Sequence, residues 1–213
     1  MGDLPSYLPF LVAIVLGYLF GSVPFGLVIT RLAGLGDIRE IGSGNIGATN
    51  VLRTGRKDLA LATLILDAGK AGIAACLVSL LFHNFHAGLL AGAAAFVGHC
   101  YPVWLGFKGG KGVATFIGML FGIMWKVALA FAVSWLLVAL ISRYSSLAAL
   151  VTAALLPVIT WFITHDVFAV VITAALALLL FWRHRENIRR LLNGTETRIG
   201  SKKKQDAQDA AAQ

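Results

Sequence analysis

Leu59–Phe82 reads L-A-L-A-T-L-I-L-D-A-G-K-A-G-I-A-A-C-L-V-S-L-L-F, an apolar run interrupted by the charges of Asp67 and Lys70. A helix rises about 1.5 Å per residue and a bilayer's hydrocarbon core is about 30 Å thick, so some 20 apolar residues suffice to cross it. The run therefore reads as a transmembrane helix over about 58–82. Charges inside a membrane are costly, and Asp67 and Lys70 stand three residues apart, on one helix face. They are either a mutually neutralising structural pair or the floor of a site. Helical rise places Asp67 about 14 Å below the nearer helix mouth.

The rest of the chain matches this stretch. Its 213 residues are 58% hydrophobic and 13% charged, against roughly 25% charged in an ordinary soluble domain. Such a chain has too few polar groups to cover a surface in water. The fold class it implies is all-α: a polytopic membrane helix bundle forming one domain over 1–199, with a disordered polar tail at 200–213. Candidate spans lie at roughly 4–32, 58–82, 86–101, 112–124, 127–141, 147–164 and 166–183, seven transmembrane helices in all. The third and fourth are short, so they either extend into their flanks or enter beside backbone that the protein itself shields.

Net charge is +8, yet the basic residues lie in the breaks between apolar runs, as in loops facing anionic lipid, and do not suggest nucleic acid. With seven spans, all Lys and Arg except Lys70 and Lys126 fall on or beside one side. The positive-inside rule then puts the amino terminus in the periplasm and the carboxyl terminus in the cytoplasm. No cleavable signal peptide is expected, because the first apolar run lacks a basic leader. Gly17 and Gly21, Gly88 and Gly92, and Gly118 and Gly122 each stand four apart, which permits close helix packing. Cys76 and Cys100 make no disulfide framework, and the dispersed histidines make no metal site.

Four polar constellations fall on the basic side. G-S-G-N-I-G-A-T-N at Gly42–Asn50 combines turn-forming glycines with Ser43, Asn45, Thr49 and Asn50, and Arg53 follows. G-F-K-G-G-K-G at Gly106–Gly112 offers a glycine backbone to wrap an anion, the charges of Lys108 and Lys111, and a helix amino terminus behind them. It is not the nucleotide-binding loop, since Gly112 and Val113 follow Lys111 where Ser or Thr is needed. His99, just upstream, is a hydrogen-bond donor to the same anion or a helix cap. S-R-Y-S-S at Ser142–Ser146 forms a short interhelical turn. In H-R-E-N-I-R-R-L-L-N-G-T-E at His184–Glu196, helical spacing puts His184 and Asn187 on one face with Arg190 adjacent.

These features fit an enzyme acting on phosphorylated substrates, a phosphate-ester transporter, or a phosphotransferase acting on lipid. The polar material lies on one face, whereas transporter sites usually lie near the midplane. A Ser hydrolase is disfavoured because G-x-S-x-G is absent.

The four constellations, in this order and separated by apolar helices, resemble the bacterial acyl-phosphate-dependent glycerol-3-phosphate acyltransferase family, PlsY, over roughly residues 10–198. The resemblance implies a multi-pass enzyme of the bacterial inner membrane, without a cofactor or metal, whose site faces the cytoplasm. Its substrates would be acyl phosphate and glycerol 3-phosphate, with membrane phospholipid around it and no nucleic acid or obligate protein partner. The expected products are 1-acyl-sn-glycerol 3-phosphate and inorganic phosphate, by direct attack of the glycerol hydroxyl. Carried onto this chain, the catalytic set is Ser43, His99, Lys108, Lys111, Ser142, His184 and Asn187. The substrate-binding set is Asn45, Thr49, Asn50, Arg53, Gly109, Gly110, Gly112, Ser145 and Glu196.

Overall fold

The computed structural model describes residues 5–200, so most of the expected polar tail lies outside the described residues. Within them the chain is all-α: α1 (Leu8–Ser22), α2 (Phe25–Leu32), α3 (Ala48–Val51), α4 (Lys57–Phe82), α5 (Phe85–Cys100), α6 (Val113–Ile123), α7 (Trp125–Ser142), α8 (Ser145–Thr164), α9 (Val167–Arg183) and α10 (Arg185–Leu192). Short 3-10 turns occupy Ile38–Glu40, Leu52–Thr54 and Val103–Leu105. Pro24 separates α1 from α2, because proline has no N–H to continue a helix ladder.

The seven expected crossings are not found. Among the described residues, five segments are long and apolar enough to cross a membrane: Leu8–Leu32, Lys57–Phe82, Phe85–Leu105, Trp125–Ser142 and Ser145–Thr164. Counting α9 and α10, bent by 60° across His184, as one broken span gives six. α6 is the outlier, with 11 residues, and a helix of that length rises only about 16 Å. Its shortness has a cause in the chain before it. After α5 the backbone turns back into the bundle, where Gly109 N–H bonds Cys100 O and Gly110 N–H bonds His99 O. A side chain at Gly112 would strike the Phe96 ring, so α6 starts about one turn below the end of α5. Of the two alternatives for the short spans, α5 is extended by its 3-10 turn and α6 begins beside shielded non-helical backbone. The placement of the two termini on opposite sides rested on seven crossings; five crossings keep them there and six put them on the same side.

Helix contacts follow the small residues. A Cβ on Gly17 or Gly21 would meet the backbone of Ala91 or Ala95 in α5, so α1 and α5 touch main chain to main chain as the sequence suggested. The centre of the bundle is a chain of aromatic rings, Phe96 to Phe116 to Phe131, with centroids 5.5 and 5.8 Å apart. Leu89, Met119, Leu120, Leu156 and Leu180 are fully or almost fully buried around it. Ile65, Ile73, Leu140, Phe162 and Leu178 point outward and are more than half exposed. An apolar exterior of this extent suits lipid, not water.

The two ends differ. At one, the αL residues His83 and His165 cap tight turns, and His86 Nε2 meets Asp166 Oδ2 at 2.8 Å. At the other lie both glycine loops, the α7–α8 turn and α10, which are the four polar constellations.

Candidate active site

The first loop is organised by one side chain. Asn50 is 1% exposed, and its Nδ2 donates to the carbonyls of Ile38 and Ile41 at 2.9 Å and of Asn45 at 2.8 Å. Its Oδ1 accepts from Ser43 N–H at 3.1 Å. Ile38 O and Ile41 O also accept from the Ile41 and Gly44 N–H groups, so one buried amide ties together several turns of backbone and fixes the loop's shape. Gly42 has φ +60°, and a Cβ there would strike Asn50 and the Arg53 side chain. Only glycine fits both the backbone and the space. Ser43, Thr49 and Arg53 are left exposed at the mouth, with Asn45 half-buried.

The second loop is held differently. The N–H groups of Gly109 and Gly110 cap α5, while their carbonyls accept from Arg183, Nη2 to Gly109 O at 2.8 Å and Nε to Gly110 O at 3.0 Å. The Arg183 guanidinium also lies over the Tyr101 ring, 5.0 Å from its centroid. This corrects one expectation: the amides of Gly109 and Gly110 are already used and do not wrap an anion. The donors left in this region are those of the first turn of α6, which a helix always leaves unpaired inside itself. The glycines are needed for room, since a Cβ on Gly110 would occupy the space of the His99 ring. Lys108 is exposed on the outer turn, whereas Lys111 is half-buried at the start of α6. Burial, reinforced by the Arg190 charge, partly opposed by Glu196 and Glu186, and deepened by Arg53, lowers Lys111 from the ordinary lysine value to about 8.

The third and fourth constellations meet at Glu196, whose side chain is 7% exposed. It accepts from Arg190 Nε at 2.6 Å, Asn187 Nδ2 at 2.7 Å and Ser146 Oγ at 2.7 Å. Burial pushes the Glu196 carboxyl up, but these three hydrogen bonds and the Arg190 charge outweigh it and hold the group below its usual value. The 60° bend between α9 and α10 turns His184 and Asn187 inward, 3% and 5% exposed. His184 Nδ1 lies 2.9 Å from Leu180 O. A carbonyl only accepts, so Nδ1 carries the hydrogen and Nε2 is the ring's other nitrogen. The Lys111 charge acts on His184, and the Arg53 charge acts on Lys111.

Behind the second loop, Asp67 and Lys70 pair at 2.8 Å, and Lys70 Nζ also reaches His99 Nδ1 at 3.0 Å. The structure therefore brings Arg53, Lys111, His184, Asn187 and Glu196 around one mouth, with Ser43, Asn45, Thr49, Gly109, Gly110 and Gly112 on its rim and His99 beneath. Ser142 is not part of it: its Oγ donates to Val138 O at 2.7 Å and accepts from Tyr144 N–H at 3.1 Å, so it caps the end of α7. Ser145 is the first residue of α8, half-buried, and Ser146 is the serine that reaches Glu196. Arg183 and Ser146 were missed from the sequence. The signal for Arg183 was its place as the last residue of an apolar helix immediately before His184.

One end of an apolar helix bundle thus gathers a half-buried lysine, two arginines, a histidine and a helix amino terminus. That defines an integral membrane protein with a site for an anionic substrate at the bilayer surface. The family model described as glycerol-3-phosphate acyltransferase matches residues 11–194, and the chain belongs to that family. It is 59% identical over 91% of its length to a glycerol-3-phosphate acyltransferase of Rhodopseudomonas palustris strain BisB5, covering 98% of that protein. With the glycerol-3-phosphate acyltransferase of Maricaulis maris it shares 60% identity over 92% of this chain and 89% of the relative. Its fold is similar to the crystal structure of PlsY (YgiH), an integral membrane glycerol 3-phosphate acyltransferase in its glycerol 3-phosphate form. That match has a TM-score of 0.84 and 39% identity, over 89% of this chain and 95% of the other.

Proposed function

We propose that the chain transfers a fatty acyl group from acyl phosphate to the 1-hydroxyl of sn-glycerol 3-phosphate, giving 1-acyl-sn-glycerol 3-phosphate and inorganic phosphate. The observation that carries this is the set of cations at one end of the bundle: Lys111 beside the amino terminus of α6, Arg190 fixed by the buried Glu196, and Arg53 exposed at the edge of the first loop. Two phosphorylated substrates repel each other, and positive charges supplied from separate elements are what holds them together.

In the reaction, the glycerol 1-hydroxyl oxygen attacks the acyl carbonyl carbon, and the C–O bond to phosphate breaks. The hydroxyl proton ends on the departing phosphate. An acyl phosphate is an activated anhydride, so orientation matters more than a strong base. Lys111 and the first turn of α6 neutralise phosphate charge. Arg53, with Ser43, Asn45 and Thr49, binds at the rim. His184 Nε2 orients the hydroxyl. Glu196 accepts no proton; it fixes Asn187 and Arg190.

The site's surroundings also support a cytoplasmic orientation. Its end of the bundle carries Arg31, Arg39, Arg53, Arg56, Lys57, Lys108, Lys111, Arg143 and the arginines of α10, and such basic loops stay on the cytoplasmic side. Ser43→Cys in spheroplasts should then be shielded from a membrane-impermeant maleimide until the membrane is permeabilised; labelling of intact spheroplasts would reverse the assignment.

The reaction is tested with purified protein in detergent, palmitoyl phosphate and radiolabelled glycerol 3-phosphate, beside parallel acyl-CoA and acyl-carrier-protein donors. Labelled lysophosphatidate from palmitoyl phosphate alone is the expected result. Folded protein that yields no product from any donor, but accumulates label in sealed vesicles, would replace the enzyme with a transporter.

A further inference from the structure

Lys70 is bound on three sides. Its Nζ lies 2.8 Å from Asp67 Oδ1 on its own helix, 2.8 Å from Val23 O at the break between α1 and α2, and 3.0 Å from His99 Nδ1 in the last turn of α5. The side chains of Asp67, Lys70 and His99 are 2%, 3% and 4% exposed. An ammonium carries three N–H groups and no lone pair, so all three neighbours must accept. His99 Nδ1 then bears the ring's lone pair, and the hydrogen of the neutral imidazole sits on Nε2. Nε2 is the atom nearest the side-chain space of Gly110, against the loop that ends in Lys111.

We propose that Asp67 and Lys70 are positioning residues for the acyl transfer, holding His99 in the tautomer whose Nε2–H faces the Gly110–Lys111 loop. This rests on the acyl-transfer reading above. A donor there adds to the positive face that the loop presents to phosphate; a lone pair there would repel it. Asp67 Oδ1 is 3.7 Å from His99 Nδ1, beyond hydrogen-bond reach, so the carboxylate serves the lysine and the lysine serves the histidine. Without Lys70, Nδ1 is the nitrogen that would take the proton to donate to Asp67, and Nε2 would turn acceptor. Stability gives no equal reason for the pair, since replacing a buried ion pair by apolar side chains of similar volume is often neutral or stabilising. The contact to Val23 O ties the same ammonium to the helix that leads into the first loop.

The test uses full-length protein in detergent, as wild type and as the Asp67→Leu/Lys70→Met double variant, with isotope-labelled histidine and a His99→Gln variant to assign the ring. Three quantities are read: the protonated nitrogen of His99 by nitrogen NMR, kcat and KM with palmitoyl phosphate, and thermal unfolding. The wild-type ring should be protonated on Nε2. The double variant should unfold near the wild-type temperature yet lose about 10- to 100-fold in kcat/KM, the usual effect of losing an orienting partner, with Nε2–H no longer the sole tautomer. A pair that merely stabilised the bundle would lower the unfolding temperature and leave turnover per folded molecule unchanged, which overturns the proposal. A wild-type ring protonated on Nδ1 overturns it even where the double variant does not fold. Absent turnover in folded wild type would instead sink the acyl-transfer reading, and the tautomer result would stand or fall separately.

Discussion

The two glycine-rich loops look alike as sequence and are built on opposite plans. Gly42–Asn50 is held from within, by the Asn50 amide bonded to three carbonyls and to Ser43. Gly106–Gly112 is held from outside, by the last carbonyls of α5 on one side and the Arg183 fork on the other. In the first, glycine supplies conformations that let polar side chains face the mouth. In the second, it supplies room for His99 and Phe96 to come against the backbone. A run of glycines thus says that something comes close, without saying whether it is a ligand or the protein's own side chains.

The contrast is broken most severely at Lys111, the charge that the second loop delivers. Lys111→Ala should lower kcat by about 10²- to 10³-fold, as for loss of a group that stabilises developing charge, with folding retained because the side chain pairs with no buried carboxylate. Wild-type turnover in that variant, measured with palmitoyl phosphate, would remove the lysine from the chemistry.

The loops should also fail in different ways. Asn50→Ala removes the buried amide that ties Ile38, Ile41, Asn45 and Ser43 together and should cost about 1–3 kcal/mol in stability, seen in denaturation and in a raised KM for glycerol 3-phosphate. Gly110→Ala forces the His99 ring to move, an overpacking expected to cost about 1–3 kcal/mol, and kcat should fall together with stability. Equal effects on KM and kcat from both variants would erase the distinction between a side-chain plan and a packing plan.

Lys111 sharpens the comparison through pH. With its value lowered to about 8 by burial and Arg190, its ammonium is lost as pH rises through that value. The kcat/KM of the free enzyme should therefore fall on the alkaline side of about 8. Lys111→Arg keeps its charge throughout, so its residual activity should lack that limb. An unchanged limb would assign the titration to another group.

The smallest effects separate the serines of the α7–α8 turn. Ser146→Ala removes one of three hydrogen bonds to Glu196, which keeps Asn187 and Arg190, and should raise KM only several-fold. Ser142→Ala removes only an end cap of α7 and should leave kcat/KM within about twofold. The reverse order would restore Ser142 to the site.

Much of this architecture is written in apolar run lengths and in motifs near helix ends. Asp67 and Lys70 announce a buried pair because nothing else in their run is charged. His184 and Asn187 turn to one side with Arg190 adjacent, as their spacing requires. The crossing count was not legible, because an apolar run from 112 to 124 does not tell where in the membrane its helix begins; that depends on the loop turning back beside Phe96. Nor was the use of the glycine amides, since their partners are the carbonyls at the end of α5. The contact between Lys70 and His99 joins two different helices, and no local pattern encodes it. Ser142 ends α7 and Ser146 lies in the first turn of α8, and only the position of Glu196, 50 residues beyond Ser146, selects between them.

The central claim is that the two loops, built differently, form one site. A double-mutant cycle on kcat/KM with Arg53→Ala and Lys111→Ala measures this directly, using palmitoyl phosphate and glycerol 3-phosphate in detergent. Residues that act on the same bound phosphates should show a coupling of about 0.5–3 kcal/mol, with the double variant departing from the sum of the single losses. Strict additivity, to within about 0.3 kcal/mol, would mean that the loops act independently and would contradict a shared site.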